Sequence, residues 1–221
     1  MEHPLANVFR EQYTDEEPIK IGKHALRYAL SYEAIQPFLV QGINILEVGG
    51  GGAFQDYVRK TNGVQITNTT TDLRYDLPLP SNSFDLVLNM EVLEHIKDQR
   101  GSEFHVFNFT GVRKFLSECY RVLKPGGRMF LTTPNAHAMA NLIHILELAQ
   151  PIFFSPHVRE YALNDLTGLL TEQKFIVEHF STCNCWNVLA EDKLEWISSI
   201  AKACGSKVEY MNEDIFVLAR K

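Results

Sequence analysis

The chain has 221 residues, 45% of them apolar and 22% charged, which fits one globular domain with enough material for a core and excludes a disordered or fibrous chain. Its net charge is −6 and no Lys/Arg run gathers into a basic patch, so neither nucleic acid nor an acidic membrane surface is expected as a partner.

Residues 1–22 open with MEHPLANVFREQYTDEEPIK, polar and acidic where a secretory leader needs an apolar centre, and they read as a loosely ordered N-terminal arm. No apolar run approaches the ~20 residues of a membrane span. The cysteines are Cys119, Cys183, Cys185 and Cys204; the C-x-C at 183–185 has no second Cys or His pair at zinc spacing, so reduced thiols in a cytoplasmic protein are expected. The rest, 23–221, reads as a single domain.

In chain order, Lys23 to Phe38 places Leu26, Ala29, Leu30 and Ala34 near helical spacing. Ile43 to Val48 is a short, mostly apolar strand and therefore central. Four glycines follow, then a short helix over Ala53 to Lys60 and a β-branched strand over Val64 to Thr70. Phe84 to Met90 is a third strand. Gly111 to Leu123 carries the helical stripe Val112, Phe115, Leu116, Cys119 and Val122, stopped by Lys124-Pro125-Gly126-Gly127. A strand over Arg128 to Thr133 and a helix over Ala138 to Ala149 come next. Asn164 to Glu172 reads as a helix with Asn164 as N-cap, leading to a strand over Phe175 to Phe180. A helix over Leu189 to Ala203 and a strand over Ile215 to Arg220 close the chain. Strands alternating with helices predict an α/β fold, a mostly parallel sheet with helices on both faces and an antiparallel edge strand near the C-terminus.

The stretch ILEVGGGGAF carries the chemistry. Glycine inside an element costs on the order of 0.5–1 kcal/mol relative to alanine, so four of them behind Glu47 need a reason. A strand, a glycine-rich turn and a helix N-terminus suit a nucleotide-like ligand, because the backbone approaches closely and the helix end offers free N–H donors. The third glycine of a dinucleotide G-x-G-x-x-G is missing, and so is a Walker lysine.

The pattern E-x-G-x-G-x-A resembles the first motif of class I S-adenosylmethionine (SAM) dependent methyltransferases of the type 11 and type 23 kind. Leu77 to Val87 (LPLPSNSFDLV), Glu91 to Ile96 (EVLEHI) and Leu116 to Gly127 (LSECYRVLKPGG) resemble further segments of that family, in the right order, over about residues 43–135. The resemblance implies a Rossmann-like methyltransferase fold, with SAM as cofactor and S-adenosylhomocysteine as product. It implies that Glu47, Gly49, Gly50 and Gly51 hold the methionyl part and that Asn89 and Met90 line the cofactor floor. Only about fifteen residues separate the second strand from FDLV, so the helix and strand that the family normally places there are missing or reduced to a turn. Asp72 is the choice for the ribose and Asp76 for the adenine side, with a capped turn as the alternative role for Asp76.

Methyl transfer from a sulfonium needs mostly alignment; a hydroxyl acceptor also needs a base. Candidates at the strand ends are His157, Glu91, His95 and Asn135. His157 stands in a segment, His-x-Arg-Glu-Tyr, that resembles one beside the acceptor pocket of small-molecule and sugar methyltransferases, which implies a general base or substrate contact, with a loop-anchoring salt-bridge cluster as the alternative. Glu91, Glu94 and His95 share one face of a helix, and E-x-x-E-H resembles the metal-binding segment of ubiquinone-pathway and small-RNA methyltransferases, with His157 completing the set; a metal-free helix start is the expected reading, and a divalent metal is not expected. His137 and His144 read as structural or pocket-wall residues. Residues 98–110, with the aromatic-rich stretch FHVFNF, and 136–162 are placed over the acceptor. The expected function is methyl transfer to a small-molecule, sugar or lipid-linked acceptor at oxygen, with a metal-assisted RNA 2′-O-methyltransferase and a non-catalytic SAM-fold binding protein as alternatives.

Overall fold

The computed structural model of the chain describes residues 3–12, 18–49, 52–99, 109–149, 151–152, 154 and 156–221. Among these, β1 (Asn44–Val48), β2 (Gln65–Thr69), β3 (Phe84–Met90), β4 (Leu123–Pro134), β5 (Ile176–Cys183) and β6 (Asp214–Arg220) form one sheet, in the order β2-β1-β3-β4-β6-β5. The first four strands are mutually parallel. β6 runs antiparallel to both β4 and β5, so the antiparallel strand expected near the C-terminus sits one place in from the edge.

Helices cover both faces because each face of the central strands is apolar. On one face α4 (Thr110–Val122) and α6 (Leu163–Glu172) bury Val112, Phe115, Leu166 and Leu170 against Leu46, Val87, Leu131 and Val217. On the other, α1 (Pro4–Gln12), α2 (Pro18–Ile35) and α3 (Ala53–Asn62) bury Phe9, Ala29, Ile35 and Val58 against Ile45, Leu86, Leu88 and Phe130. The stripe expected on α4 is the buried one. α5 (Met139–Leu146) and α7 (Glu191–Ala203) make a satellite cluster through Met139, Ile143 and Ile197.

Several boundaries differ from the sequence reading. Part of the stretch read as a loose arm is the helix α1, anchored by the fully buried Phe9, whose ring packs on Tyr28, Phe54 and Tyr57. α2 begins at Pro18, a residue suited to a first helical turn. α6 starts at Leu163 with Ala162 at its N-cap, so Asn164 lies inside the helix and caps nothing.

Between β2 and β3 the chain forms turns over residues 70–83, with no helix or strand. The segment is tied to α4 instead. Glu118 Oε2 accepts from the Leu77 amide at 2.9 Å, and Arg121 donates to the Leu77 and Leu79 carbonyls at 3.0 and 2.8 Å. The direct path from β2 to β3 leaves β1 flanked by parallel neighbours on both sides. The order therefore reverses beside β1, and the crevice at the carboxyl ends of β1 and β3 is the place where open α/β sheets hold ligands.

Candidate active site

The crevice begins where β1 ends. Gly49 has φ +102, and a Cβ there would fall on Cγ2 of Val92, in the loop after β3, so glycine is required on two counts. Gly50 and Gly51 lie outside the described residues. Beneath the loop is a cavity of about 150 Å³, lined among others by Arg27, Tyr28, Glu47, Gln55, Met90 and Glu91. Val92 forms a wall shared with a second cavity of about 240 Å³, whose lining includes Asp72, Leu73, Arg74 and His95. Glu47, Gly49 and Met90 are thus brought together in one cavity, and Asp72 stands in the next.

Electrostatics sharpen the first cavity. Burial pushes the Glu47 carboxyl up to about 8, against the opposing pull of a hydrogen bond from Gln55 and the charges of Arg59 and Arg27. Among the described residues its Oε2 is buried without a hydrogen-bond partner. Gln55 is in turn held by Asn68 at 2.6 Å. Glu91 follows β3 with φ +57, a left-handed backbone rare for a side chain of this kind. It accepts from Thr132 Oγ1 at 2.7 Å, and Arg27 Nη1 reaches the same hydroxyl at 3.5 Å. Asp214, at the start of β6, is wholly buried beside this group, and burial holds its pKa far above the ordinary range.

A second group lies where 156–161 crosses a 3-10 turn over Leu93–His95. The Glu94 carbonyl accepts from the Val158 and Arg159 amides at 2.8 and 3.3 Å. Glu94 is fully buried; Oε2 accepts from Thr133 at 2.9 Å, and Oε1 has no hydrogen-bond partner among the described residues but lies 3.9 Å from His95 Nε2. Burial, then the Glu91 charge, raises its pKa well above the usual carboxylate range. The rings of His95 and His157 meet edge to face at 4.9 Å, and burial, with the neighbouring His157, lowers the pKa of His95. His157 Nδ1 lies 2.9 Å from Glu160 Oε1. Among the described residues, Glu94, His95 and His157 bring potential ligand atoms within 4.8 Å of one another. Glu91 is outside that group, its carboxylate engaged by Thr132.

Other expected residues are placed elsewhere. Asp72 is ion-paired to Arg74 at 2.6 Å. Asp76 is exposed and paired to Lys114 at 2.5 Å, outside both cavities. Asn89 is fully buried in β3, its side-chain amide nitrogen and oxygen without hydrogen-bond partners among the described residues. Asn135 is buried and spent on backbone: its amide donates to the Tyr210 and Asn212 carbonyls, and its oxygen accepts from the His137 amide. It therefore fixes the turn after β4. Phe104 and Phe107 lie outside the described residues, and Phe109 packs on the main core. Sequence reading missed Arg27, Gln55 and Asp214. The available signal for Arg27 was a charge inside the apolar run of α2.

Similarity to known proteins follows this geometry. The family described as a methyltransferase domain matches residues 51–131. A protein of Mycolicibacterium smegmatis named "Probable S-adenosylmethionine-dependent methyltransferase" is 31% identical over 165 residues, 62% of this chain and 53% of that protein. A ubiquinone biosynthesis O-methyltransferase of Mesorhizobium japonicum is 27% identical over 134 residues, 50% of this chain and 48% of the relative. The chain thus matches about half the length of each of these relatives. The crystal structure of a SAM-dependent methyltransferase from Archaeoglobus fulgidus shares the fold with a TM-score of 0.58 at 17% identity, over 92% of this chain and 99% of the other. The sheet order and its covering helices define a Rossmann-like α/β domain. Over residues 51–131 the chain is similar to the methyltransferase-domain family, and it is similar in sequence and fold to SAM-dependent methyltransferases.

Proposed function

We propose that the protein transfers a methyl group from SAM to a hydroxyl of a small-molecule, sugar or lipid-linked acceptor. The observation that carries the reading is the pairing of a glycine-loop cavity with a buried histidine–carboxylate dyad one layer away. His157 packs on His95, and His95 and the cavity floor share Val92 as a wall. The methionyl end of SAM fits beside Glu47 and Gly49, and the nucleoside faces Asp72. With Nδ1 held by Glu160, His157 offers Nε2 to take the acceptor proton. The acceptor oxygen attacks the methyl carbon as the carbon–sulfur bond breaks, and the sulfonium leaves as the thioether of S-adenosylhomocysteine. That a relative is named as an O-methyltransferase supports oxygen as the acceptor atom.

The cluster Glu94, His95 and His157 favours a second reading, in which a divalent cation assists. Two imidazoles and a carboxylate with one buried oxygen outside any hydrogen bond among the described residues suit such an ion, which would polarise the acceptor oxygen. An RNA acceptor fits poorly with a net charge of −6. No helix among the described residues is long and apolar enough to cross a membrane; a cytoplasmic location is part of the proposal.

Calorimetric titration with SAM tests the common basis: no binding at millimolar cofactor would leave a bare scaffold and sink catalysis. Binding without methyl transfer to any acceptor would favour the non-catalytic alternative. Incubation of the protein and labelled SAM with metabolite pools identifies the acceptor, and activity that survives EDTA removes the metal.

A further inference from the structure

The C-x-C at the end of β5 has no role in the reading above. Cys183 is the last residue of that strand, and Cys185 follows two places on, where the chain bends. Residues i and i+2 of an extended chain point to one side. Both cysteines accordingly belong to the core under α2, with Cys185 3% exposed and the half-buried Cys183 packed against the same cluster. Their thiols are hydrogen-bonded to each other, which holds Cys183 below the usual thiol range; the same bond, and then burial, pushes Cys185 up. The turn that carries them is fixed by other contacts. Asn184 Oδ1 accepts from the Glu213 amide at 3.1 Å, and the Trp186, Asn187 and Val188 amides donate to the Glu213 carboxylate at 2.6, 3.0 and 2.6 Å.

Cys183 also lines a cavity of about 520 Å³ between α2 and the β5–β6 side of the sheet, beside Glu33, His179 and Ser181; Cys185 is not part of that lining. A space of this size admits a small ligand. Zinc would need further ligands, and among the described residues no third His, Cys, Asp or Glu brings a ligand atom to this pair. We propose that Cys183 and Cys185 are a reversible dithiol–disulfide site whose oxidant is a low-molecular-weight disulfide entering that cavity. The Cys183 thiolate attacks one sulfur of the oxidant; the new sulfur–sulfur bond forms as the oxidant's own bond breaks, and one thiolate leaves. Cys185 then gives up its proton, attacks the Cys183 sulfur and expels the second thiolate. Two protein thiols are oxidised, one disulfide is reduced to two thiols, and the two protons pass to the leaving groups. A reachable attacking thiol with a neighbour to resolve it is the arrangement of a labile bond rather than a structural one. Cys185 lies within range of the charges of Asp214 and Arg27, so the site stands at the back of the crevice.

The test is mass spectrometry of the full chain after incubation with mixtures of reduced and oxidised glutathione, quenched with iodoacetamide. At the oxidising end the wild type is expected to lose two alkylatable thiols. The peptide spanning 183–185 is expected to be lighter by two hydrogens and to carry no glutathione, and dithiothreitol is expected to restore both thiols. Cys185→Ser is expected to stop at the first step, with glutathione retained on Cys183, and Cys183→Ser to keep Cys185 as a thiol. A wild type that keeps both thiols across the series overturns the proposal, as does one that holds glutathione on Cys183 without closing the bond or joins either residue to Cys204. A Cys185→Ser chain that gains no glutathione overturns Cys183 as the attacking thiol. Should a variant fail to fold, the wild-type peptide decides alone.

Discussion

His157 Nδ1 lies 2.9 Å from Glu160 Oε1, and the two side chains are only 8% and 2% exposed. The other oxygen of Glu160 accepts from Asn141 Nδ2 at 3.3 Å, so α5 braces the carboxylate that braces the imidazole. A carboxylate on Nδ1 fixes the tautomer and leaves Nε2 as the acceptor. His157→Ala is expected to lower methyl transfer by about 10²–10⁴-fold, the usual worth of a general base, with SAM affinity within about threefold. Glu160→Gln, which keeps the shape and removes the charge, is expected to cost less. Transfer by His157→Ala at the wild-type rate, in single-turnover assays with labelled SAM, removes the base from the mechanism.

Gly49 and Val92 interlock the two loops that form the crevice. A side chain at 49 meets both the Val92 methyl and an unfavourable φ of +102. Gly49→Ala is expected to lower stability by about 1–3 kcal/mol and to weaken SAM at least tenfold. Adding Val92→Ala removes the clash and leaves the backbone strain, so the double variant is expected to recover only in part. Full recovery in thermal melts would show that crowding alone requires glycine there.

The Glu47 carboxyl offers a pH signature. Its pKa is raised by burial from 4.5 to about 8 in the folded chain. Below about pH 4.5 the group is protonated folded or unfolded, and its contribution to stability is fully present. Between there and about pH 8 the unfolded chain gives up the proton first, so stability falls as pH rises, and above that range the loss is complete. Glu47→Gln, which cannot ionise, is expected to melt close to the wild type at pH 4 and above it at pH 9. Glu94, raised in the same direction, keeps a residual slope in the variant. Calorimetric melts from pH 4 to 9 decide the matter; parallel curves would show that Glu47 ionises as freely folded as unfolded.

What the sequence made legible were features that repeat locally. The run ILEVGGGGAF, the α4 stripe and the short spacing before FDLV each state a local geometry, and the sheet, the glycine loop and the turn-only path from β2 to β3 follow. Arg27 did not follow, because its partner Thr132 lies 105 residues on and nothing in α2 points to it. Asp214 is hidden for the same reason: its charged neighbours Glu91, Arg27 and Glu94 come together only in the folded sheet. Asn135 shows the opposite error. A polar residue at a strand end looks catalytic in sequence, and here it is a hydrogen-bonding post for the loop at 210–212.

Glu118 holds what replaces the usual helix and strand between β2 and β3. It is 3% exposed, accepts from Arg121 and Lys114, and receives the Leu77 amide. Burial alone pushes its carboxyl up; Arg121, the Leu77 amide and Lys114 overcome that and hold it at about 2. A carboxylate whose folded pKa is depressed stabilises the fold above its unfolded value of about 4.5, and that stability is lost as pH falls towards 2. Glu118→Gln leaves Arg121 without its counter-charge and is expected to cost about 1–3 kcal/mol at pH 7, with the gap to wild type closing on acidification. The turn carrying Asp72 hangs from this anchor, so amide hydrogen exchange over residues 70–83 is expected to quicken in the variant while the β1–β3 core stays protected. Unchanged exchange in that segment would show that Leu77 packing, rather than Glu118, fixes the second cavity.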